Sequence, residues 1–82
     1  MSYDRVKKAK TLFIGAKQTK KAIEQGSPQQ VVIARDADDR IRESLADLCR
    51  NYGVSVVYVD SMKELGKACG IDVGAATAAI ID

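Results

Sequence analysis

The sequence predicts an α/β fold in which a four-stranded mixed sheet is the middle layer of a three-layer α/β/α sandwich. Four short apolar segments have the length of strands, and they alternate with segments whose apolar residues recur at helical spacing. This alternation is typical of a sheet covered by helices on both faces. A chain of 82 residues makes one compact core, so we expect a single domain over residues 1–82.

Helical spacing and apolar runs alternate through the first half of the chain. Ser2 is placed to cap the first helix, and the apolar run at residues 12–14 stops at Gly15, which predicts a buried strand followed by a turn. Gly26 marks the end of the second helix. The next run is continuously apolar, which predicts a strand covered on both faces. The predicted elements are a helix over residues 3–10, a strand over 12–14, a helix over 16–25 and a strand over 31–34.

The second half of the chain repeats this alternation. Ser61 and Glu64 have the spacing of a capping box, which predicts the start of a helix. The last apolar segment favours a strand because it ends without a charged face, although its alanines leave a helix as the alternative. The clearest helix has one apolar stripe, formed by Ile41, Leu45, Leu48 and Cys49. The predicted elements are a helix over residues 39–51, a strand over 54–59, a helix from residue 61 to about 69, a loop over 71–74 and a strand over 75–81.

Composition argues against a catalytic protein. The chain has no histidine, the residue most used for acid–base catalysis near neutral pH. Cys49 and Cys69 lack the close spacing of zinc ligands and are expected to be buried thiols, with a disulfide or redox role as the alternative. The acids Asp36, Asp38 and Asp39 lack the glycine and distal glutamate of a calcium loop, so we expect helix caps and turn residues. We therefore expect neither an enzyme nor a bound cofactor or metal.

The sequence predicts a cytoplasmic protein. Its apolar runs are far shorter than the roughly 20 residues that span a bilayer. The charged segment at residues 1–10 is not followed by the apolar region of a signal peptide.

Positive charge is concentrated at the start of the chain. Residues 1–21 contain seven lysines and arginines and one acid, a net charge of +6, whereas the rest of the chain has a net charge of −4. This segregation predicts that one side of the protein faces a polyanionic partner.

The most informative segment joins the first strand to the second helix. A strand that ends in glycine and continues as a lysine-rich helix presents unpaired backbone N–H groups and the positive end of the helix dipole to a phosphate or base edge. Gln18 and Lys21 are neighbours at i and i+3, and an amide beside an ammonium suits a base edge flanked by phosphates. Simple solvation of a surface helix is the alternative. The candidate residues are Gly15, Ala16, Lys17, Gln18, Lys20 and Lys21, with Glu24 on the same solvent face as the lysines.

A second candidate segment is the glycine-bounded loop at residues 71–74. Ile71 and Val73 lie there outside any predicted helix or strand, so we expect both side chains to be exposed. Exposed apolar side chains of this kind can support an unstacked RNA base. The alternative is that they pin the loop to the core.

Together the two segments resemble the kink-turn RNA-binding ribosomal protein family, and most of all its short bacterial YbxF-type members. The similarity lies in a strand followed by glycine, five residues and Lys-Ala, and in the later run from Lys63 to Val73. It extends from about Val6 to Ile81.

The resemblance implies a role for each segment. Members of that family use the start of the second helix to read tandem sheared G·A pairs at a sharp bend in RNA, and the late apolar loop to hold an extruded nucleotide. By this resemblance, Gly15 and Lys21 lie near the G·A pairs, and the extruded nucleotide contacts Ile71, Asp72 and Val73. Archaeal members have Asn-Glu at positions 17 and 18, where this chain has lysine and glutamine, so an amide replaces the acid that contacts guanine.

The function predicted on this basis is non-catalytic binding that recognises and stabilises kink-turns in structured RNA. One alternative is a ribosome-associated protein that binds ribosomal RNA mainly by charge. Another is a small enzyme or ligand-binding domain with a cleft beside Gly15. The expected partner is RNA with a kink-turn, free or within the ribosome, and the protein is expected to be a monomer.

Overall fold

Helices and strands alternate along the chain in the predicted order. The computed structural model describes residues 2–26 and 28–81, and the predicted cap by the Ser2 side chain lies outside what it describes. Within those residues the helices are α1 (Ser2–Lys8), α2 (Ala16–Gly26), α3 (Asp39–Tyr52) and α4 (Met62–Ala68). The strands are β1 (Leu12–Ile14), β2 (Gln30–Ala34), β3 (Val56–Val59) and β4 (Thr77–Ile80). The final segment is therefore a strand, as its uncharged end predicts.

The four strands form one mixed sheet in the order β1-β4-β2-β3. β2 and β3 are parallel, with Val32 opposite Val57. β4 lies between β1 and β2 and is antiparallel to both, so Ala79 is opposite Phe13 on one side and Val31 on the other. The prediction of a four-stranded mixed sheet is confirmed.

Helices cover both faces of this sheet, which confirms the three-layer sandwich. On one face, side chains of α1 and α4 pack on the sheet; the buried residues include Val6, Leu65, Val32, Val59 and Ile80. On the other face, side chains of α2 and α3 pack on the sheet. The buried residues there include Ile23, Leu45, Cys49, Val31 and Ile33. Successive residues of β2 alternate between these two cores because side chains along a strand point to opposite faces.

Three strands differ from their prediction, and one of them is β4, which begins at Thr77 rather than at residue 75. β1 is an edge strand and only partly buried, since the Phe13 side chain is 38% exposed. β3 begins at Val56 rather than at residue 54. The reason is that Val54 completes the end of α3, where its N–H donates to the carbonyl oxygen of Cys49 (2.8 Å) beside Gly53 in the left-handed conformation.

Polar side chains fix the starts of α3 and α4. The carboxylate of Asp38 accepts from the Arg40 N–H at 2.8 Å, and that of Asp36 accepts from the Met62 N–H at 2.8 Å, so these acids act as the predicted caps. The Ser61 hydroxyl accepts from the Glu64 N–H at 3.1 Å, which is half of the predicted capping box. The Ser61 N–H donates to the Tyr3 hydroxyl at 3.4 Å.

Both cysteines are free thiols, so the disulfide alternative does not apply. Cys49 is fully buried in the core beneath α3, and Cys69 is half-buried after α4. Burial raises the pKa of the Cys49 thiol to about 11 and raises the pKa of the Cys69 thiol as well. Burial therefore favours the protonated form of both thiols at neutral pH.

Candidate nucleic-acid interface

The two candidate segments lie at the same end of the sheet. The Gly15 N–H donates to the carbonyl oxygen of Thr77 at 2.9 Å, so the start of α2 is bonded directly to the strand that follows the loop at residues 71–74. The Ala34 N–H donates to the carbonyl oxygen of Ala76 at 2.8 Å, which places the last residue of β2 at the same end of the sheet. In parallel sheets the carboxyl ends of strands are where ligand-binding segments most often gather.

Gly15 makes the turn from β1 into α2. Its φ of +95° lies in the left-handed region, which glycine adopts without the steric cost that a side chain would add. Its carbonyl oxygen accepts from the Thr19 N–H at 2.9 Å. Its own N–H is bonded to Thr77, which corrects the expectation that this group is unpaired. The available donors are therefore the first-turn N–H groups that begin with Ala16, since a helix supplies no acceptor for them.

The lysines of α2 form the exposed face that helical spacing predicts. Thr19, Ala22 and Ile23 turn inward and Ala16 is half-buried, while the polar side chains from Lys17 to Gln25, apart from Thr19, face water. Within the described chain the salt bridges are Arg42–Asp39 and Arg50–Asp47, both on α3, so none of the α2 lysines takes part in one. Three ammonium groups and the positive end of the helix dipole thus reinforce one another at this end of the sheet. The predicted residues Lys17, Gln18, Lys20, Lys21 and Glu24 are all exposed.

A groove between α2 and α3 extends this surface beyond the predicted residues. It has a volume of about 450 Å³. Its floor is apolar and its rim carries three cations. The lining residues are Ala16, Lys17, Lys20, Arg40, Ile41, Ser44 and Leu45. Sequence reasoning missed Arg40 because its place beside α2 is a product of tertiary packing. The available signal is the spacing of Arg40 and Ser44, which share one side of α3 at i and i+4.

The loop at residues 71–74 is held against α4 and is only partly exposed. The Ile71 N–H donates to the carbonyl oxygen of Gly66 at 3.1 Å, and the Ala75 N–H donates to that of Met62 at 3.0 Å. The Val73 side chain is 70% exposed, as predicted. Ile71 is half-buried and packs against the core between α1, α4 and the sheet, so the expectation that it is exposed is wrong.

The basic start of the chain does not form one continuous side of the protein. α1 packs on the opposite face of the sheet from α2, so the exposed Arg5, Lys7 and Lys8 are separated from the α2 lysines by the sheet. The Arg5 guanidinium group donates to Gln29 Oε1 at 3.4 Å. This contact lies before the start of β2, at the end of the sheet away from Gly15. The expectation of a single basic side is therefore corrected to two basic surfaces.

The described residues contain no group of three or more histidine, cysteine or acidic side chains that could hold a metal ion. None of the helices in this part of the chain is long and apolar enough to cross a membrane.

Comparison with known proteins assigns the family. The family model described as "Ribosomal protein L7Ae/L30e/S12e/Gadd45 family" matches residues 2–82. The chain belongs to this family. The resemblance drawn from the two sequence motifs is thereby confirmed.

Individual relatives agree with this assignment. The chain is 51% identical over 81 residues to a Bacillus pumilus protein named "RNA-binding protein", with 99% of both chains covered. It is 47% identical over 81 residues to "RNA-binding protein YbxF" of Geobacillus stearothermophilus, again covering 99% of both. A solved structure titled "Giardia lamblia 15.5kD RNA binding protein" superposes with a TM-score of 0.83 at 31% identity, covering 99% of this chain and 71% of that one. These names agree with the prediction of a non-catalytic protein.

Proposed function

We propose that this protein is a non-catalytic RNA-binding protein that recognises and stabilises kink-turns, in which tandem sheared G·A pairs adjoin an extruded nucleotide. One observation carries the proposal. The cationic start of α2 and the loop bearing the exposed Val73 lie at the same end of the sheet, because Gly15 is bonded to Thr77, three residues after that loop. The names of the relatives support RNA as the partner class.

The start of α2 supplies the contacts to the bend. Lys17, Lys20 and Lys21 are exposed and form no salt bridge with another residue that the structure describes, so they are available for phosphates. Gln18 can both accept and donate at a base edge, which suits the exposed edges of sheared G·A pairs. A bend in RNA widens the major groove, which in regular A-form is too narrow for side chains. The protein would therefore recognise the shape of the bend as well as its bases.

The loop supplies the contact to the extruded nucleotide. An unstacked base loses its neighbours, and an apolar side chain such as that of Val73 restores van der Waals contact on one face. Ile71 contributes from beneath, because its half-buried side chain anchors the loop to the core. Asp72 is exposed beside them and offers a carboxylate acceptor to the base or sugar.

The groove between α2 and α3 enlarges the surface proposed to contact RNA. Arg40 shares its rim with Lys17 and Lys20, so an RNA backbone that passes the start of α2 meets a third cation on the neighbouring helix. Arginine can bind a phosphate through two parallel N–H bonds. We therefore add Arg40 to the residues proposed to contact RNA.

A second candidate function is binding of ribosomal RNA mainly by charge. The observation that favours it is the separate basic surface on α1, formed by Arg5, Lys7 and Lys8. Such a protein would bind bent and straight RNA alike, and its affinity would fall steeply with salt.

The test is a binding titration with two hairpins that differ only in the tandem G·A pairs, which one hairpin retains and the other replaces with Watson–Crick pairs. Both are measured at one physiological salt concentration. We expect a preference of at least about tenfold, or about 1.4 kcal/mol, for the hairpin with the G·A pairs. Equal affinity would discard kink-turn recognition and favour the charge-based alternative.

We further propose that the protein acts as a cytoplasmic monomer. The two protonated thiols suit a reducing compartment. Sedimentation with and without the hairpin tests the oligomeric state, and a dimer in either sample would overturn it.

A further inference from the structure

The loop at residues 71–74 lies directly on the backbone of α4. Gly66 is buried beneath it, and a Cβ atom at this position would overlap the Val73 carbonyl oxygen. The same Cβ would be 3.0 Å from the Val73 carbonyl carbon and 3.1 Å from the Gly74 Cα. The atoms in the way are backbone atoms, which cannot turn aside as the end of a long side chain can. The loop therefore needs the absence of a side chain at residue 66.

Backbone conformation does not explain this glycine. Among the described residues, Gly15, Gly53 and Gly70 have positive φ, and Gly66 does not. It lies inside α4, where alanine favours the helix more than glycine does. Close approach of the loop is therefore the reason for a glycine at this position.

We infer that Gly66 is a positioning residue that sets how far Val73 stands from α4 and thereby permits contact with the extruded nucleotide. The inference rests on the proposed function of the loop. Gly66 itself touches no RNA, because it is buried under the Val73 backbone. Van der Waals attraction falls steeply over fractions of an ångström, so a displaced Val73 loses most of its contact with a base.

A second glycine fixes the other end of the loop. A Cβ at Gly74 would lie 3.3 Å from Met62 Cβ, which is tight and requires a shift of a few tenths of an ångström. The loop thus approaches α4 closely at Gly66 and at Gly74, and the approach at Gly66 is the closer of the two. Gly74→Ala is accordingly a milder displacement of the same loop.

The test uses one kink-turn RNA in two forms, with the extruded nucleotide intact or abasic, and measures Kd for each. We expect the unsubstituted protein to prefer the intact form by about tenfold, since loss of one base contact has effects of this size. Gly66→Ala is expected to remove most of this preference and to leave affinity for the abasic RNA unchanged. Gly74→Ala is expected to lower the preference by a smaller factor, and it provides the test if Gly66→Ala does not fold.

Two control variants separate positioning from general loss of stability. Gly26→Ala adds a methyl group in open space at the end of α2 and should change neither Kd. Leu48→Ala removes packing from the core beneath α3, on the far face of the sheet, and should lower the melting temperature while keeping the preference for the intact RNA. A merely structural role for Gly66 would give the Leu48→Ala pattern and overturn the inference.

The proposed function and the positioning role fail in distinguishable ways. If the unsubstituted protein binds intact and abasic RNA equally, the proposed function of the loop is wrong and the role of Gly66 is overturned with it. If the protein prefers the intact RNA and both glycine variants keep that preference, only the positioning role is overturned.

Discussion

The start of α2 and the loop at residues 71–74 lie at the same end of the sheet and have opposite chemistry. The first presents cations and backbone donors on a helix, whereas the second presents one exposed valine on a backbone seated against α4. Charge acts over roughly 8 Å at physiological salt and is nearly blind to sequence. An apolar contact acts only at van der Waals distance. We therefore expect the α2 lysines to set the salt dependence of binding and Gln18 to recognise the G·A pairs. We expect the loop to distinguish RNAs that have an extruded nucleotide from those that lack one.

The largest expected effect tests the loop. Val73→Asp should weaken binding to kink-turn RNA by about 2–3 kcal/mol, because it removes a base contact and places a carboxylate against phosphates. Its melting temperature should be unchanged, since the Val73 side chain is 70% exposed. A binding titration measures the change in Kd, and calorimetry measures the melting temperature. A collapsed melting curve would instead assign Val73 to the core.

A somewhat smaller effect tests α2. Lys21→Ala should weaken binding to bent RNA by about 1.5 kcal/mol and reduce the slope of log Kd against log salt by about 1. Val73→Ala should leave that slope unchanged, which separates the two regions by mechanism. Lys8→Ala on α1 is the matched control, because it removes one exposed lysine from the other face of the sheet. Equal loss on bent and straight RNA would contradict the specific role of Lys21.

The next prediction concerns the turn at Gly15, which sets the direction in which α2 leaves β1. Gly15→Ala should lower the free energy of unfolding by about 1 kcal/mol, since an alanine at a φ of +95° is strained. Urea denaturation measures this, with Gly26→Ala as the control at a glycine that lacks positive φ. An unchanged midpoint for Gly15→Ala would mean that the junction relaxes without cost.

The smallest expected effect tests the groove. Arg40→Ala should weaken RNA binding by about 0.5–1 kcal/mol through loss of one phosphate contact. Arg50→Ala is the matched control, because Arg50 lies near the other end of α3 and pairs with Asp47 at 2.6 Å. If both variants bind RNA as the unsubstituted protein does, Arg40 does not contact RNA and the contact surface does not extend from α2 to α3.

Local patterns predict the elements of this fold well. The apolar stripe of α3, the cap at Ser61 and the helix end at Gly26 are features of neighbouring residues, and the structure has helices that begin and end near them. The lysine face of α2 follows from helical spacing in the same way. These features depend on interactions within a few residues, so no knowledge of the tertiary structure is required.

The errors come from tertiary neighbours. The apolar run of β1 does not reveal that this strand lies at the edge of the sheet, so the exposure of Phe13 is unexpected. Ile71 resembles an exposed loop residue until the core between α1 and α4 is known. The basic start of the chain is contiguous in sequence but divided between two faces. Arg40 and Gly66 gain their proposed roles from α2 and from the loop, which are distant in sequence.

The order of strands has a consequence for synthesis of the protein. β1, which precedes the other three strands in the sequence, has β4 as its partner, and β4 also separates it from β2. A nascent chain that ends before residue 77 lacks the Thr77 carbonyl that holds Gly15 at the start of α2. The surface proposed to bind RNA is therefore complete only in a chain that has been synthesised through β4.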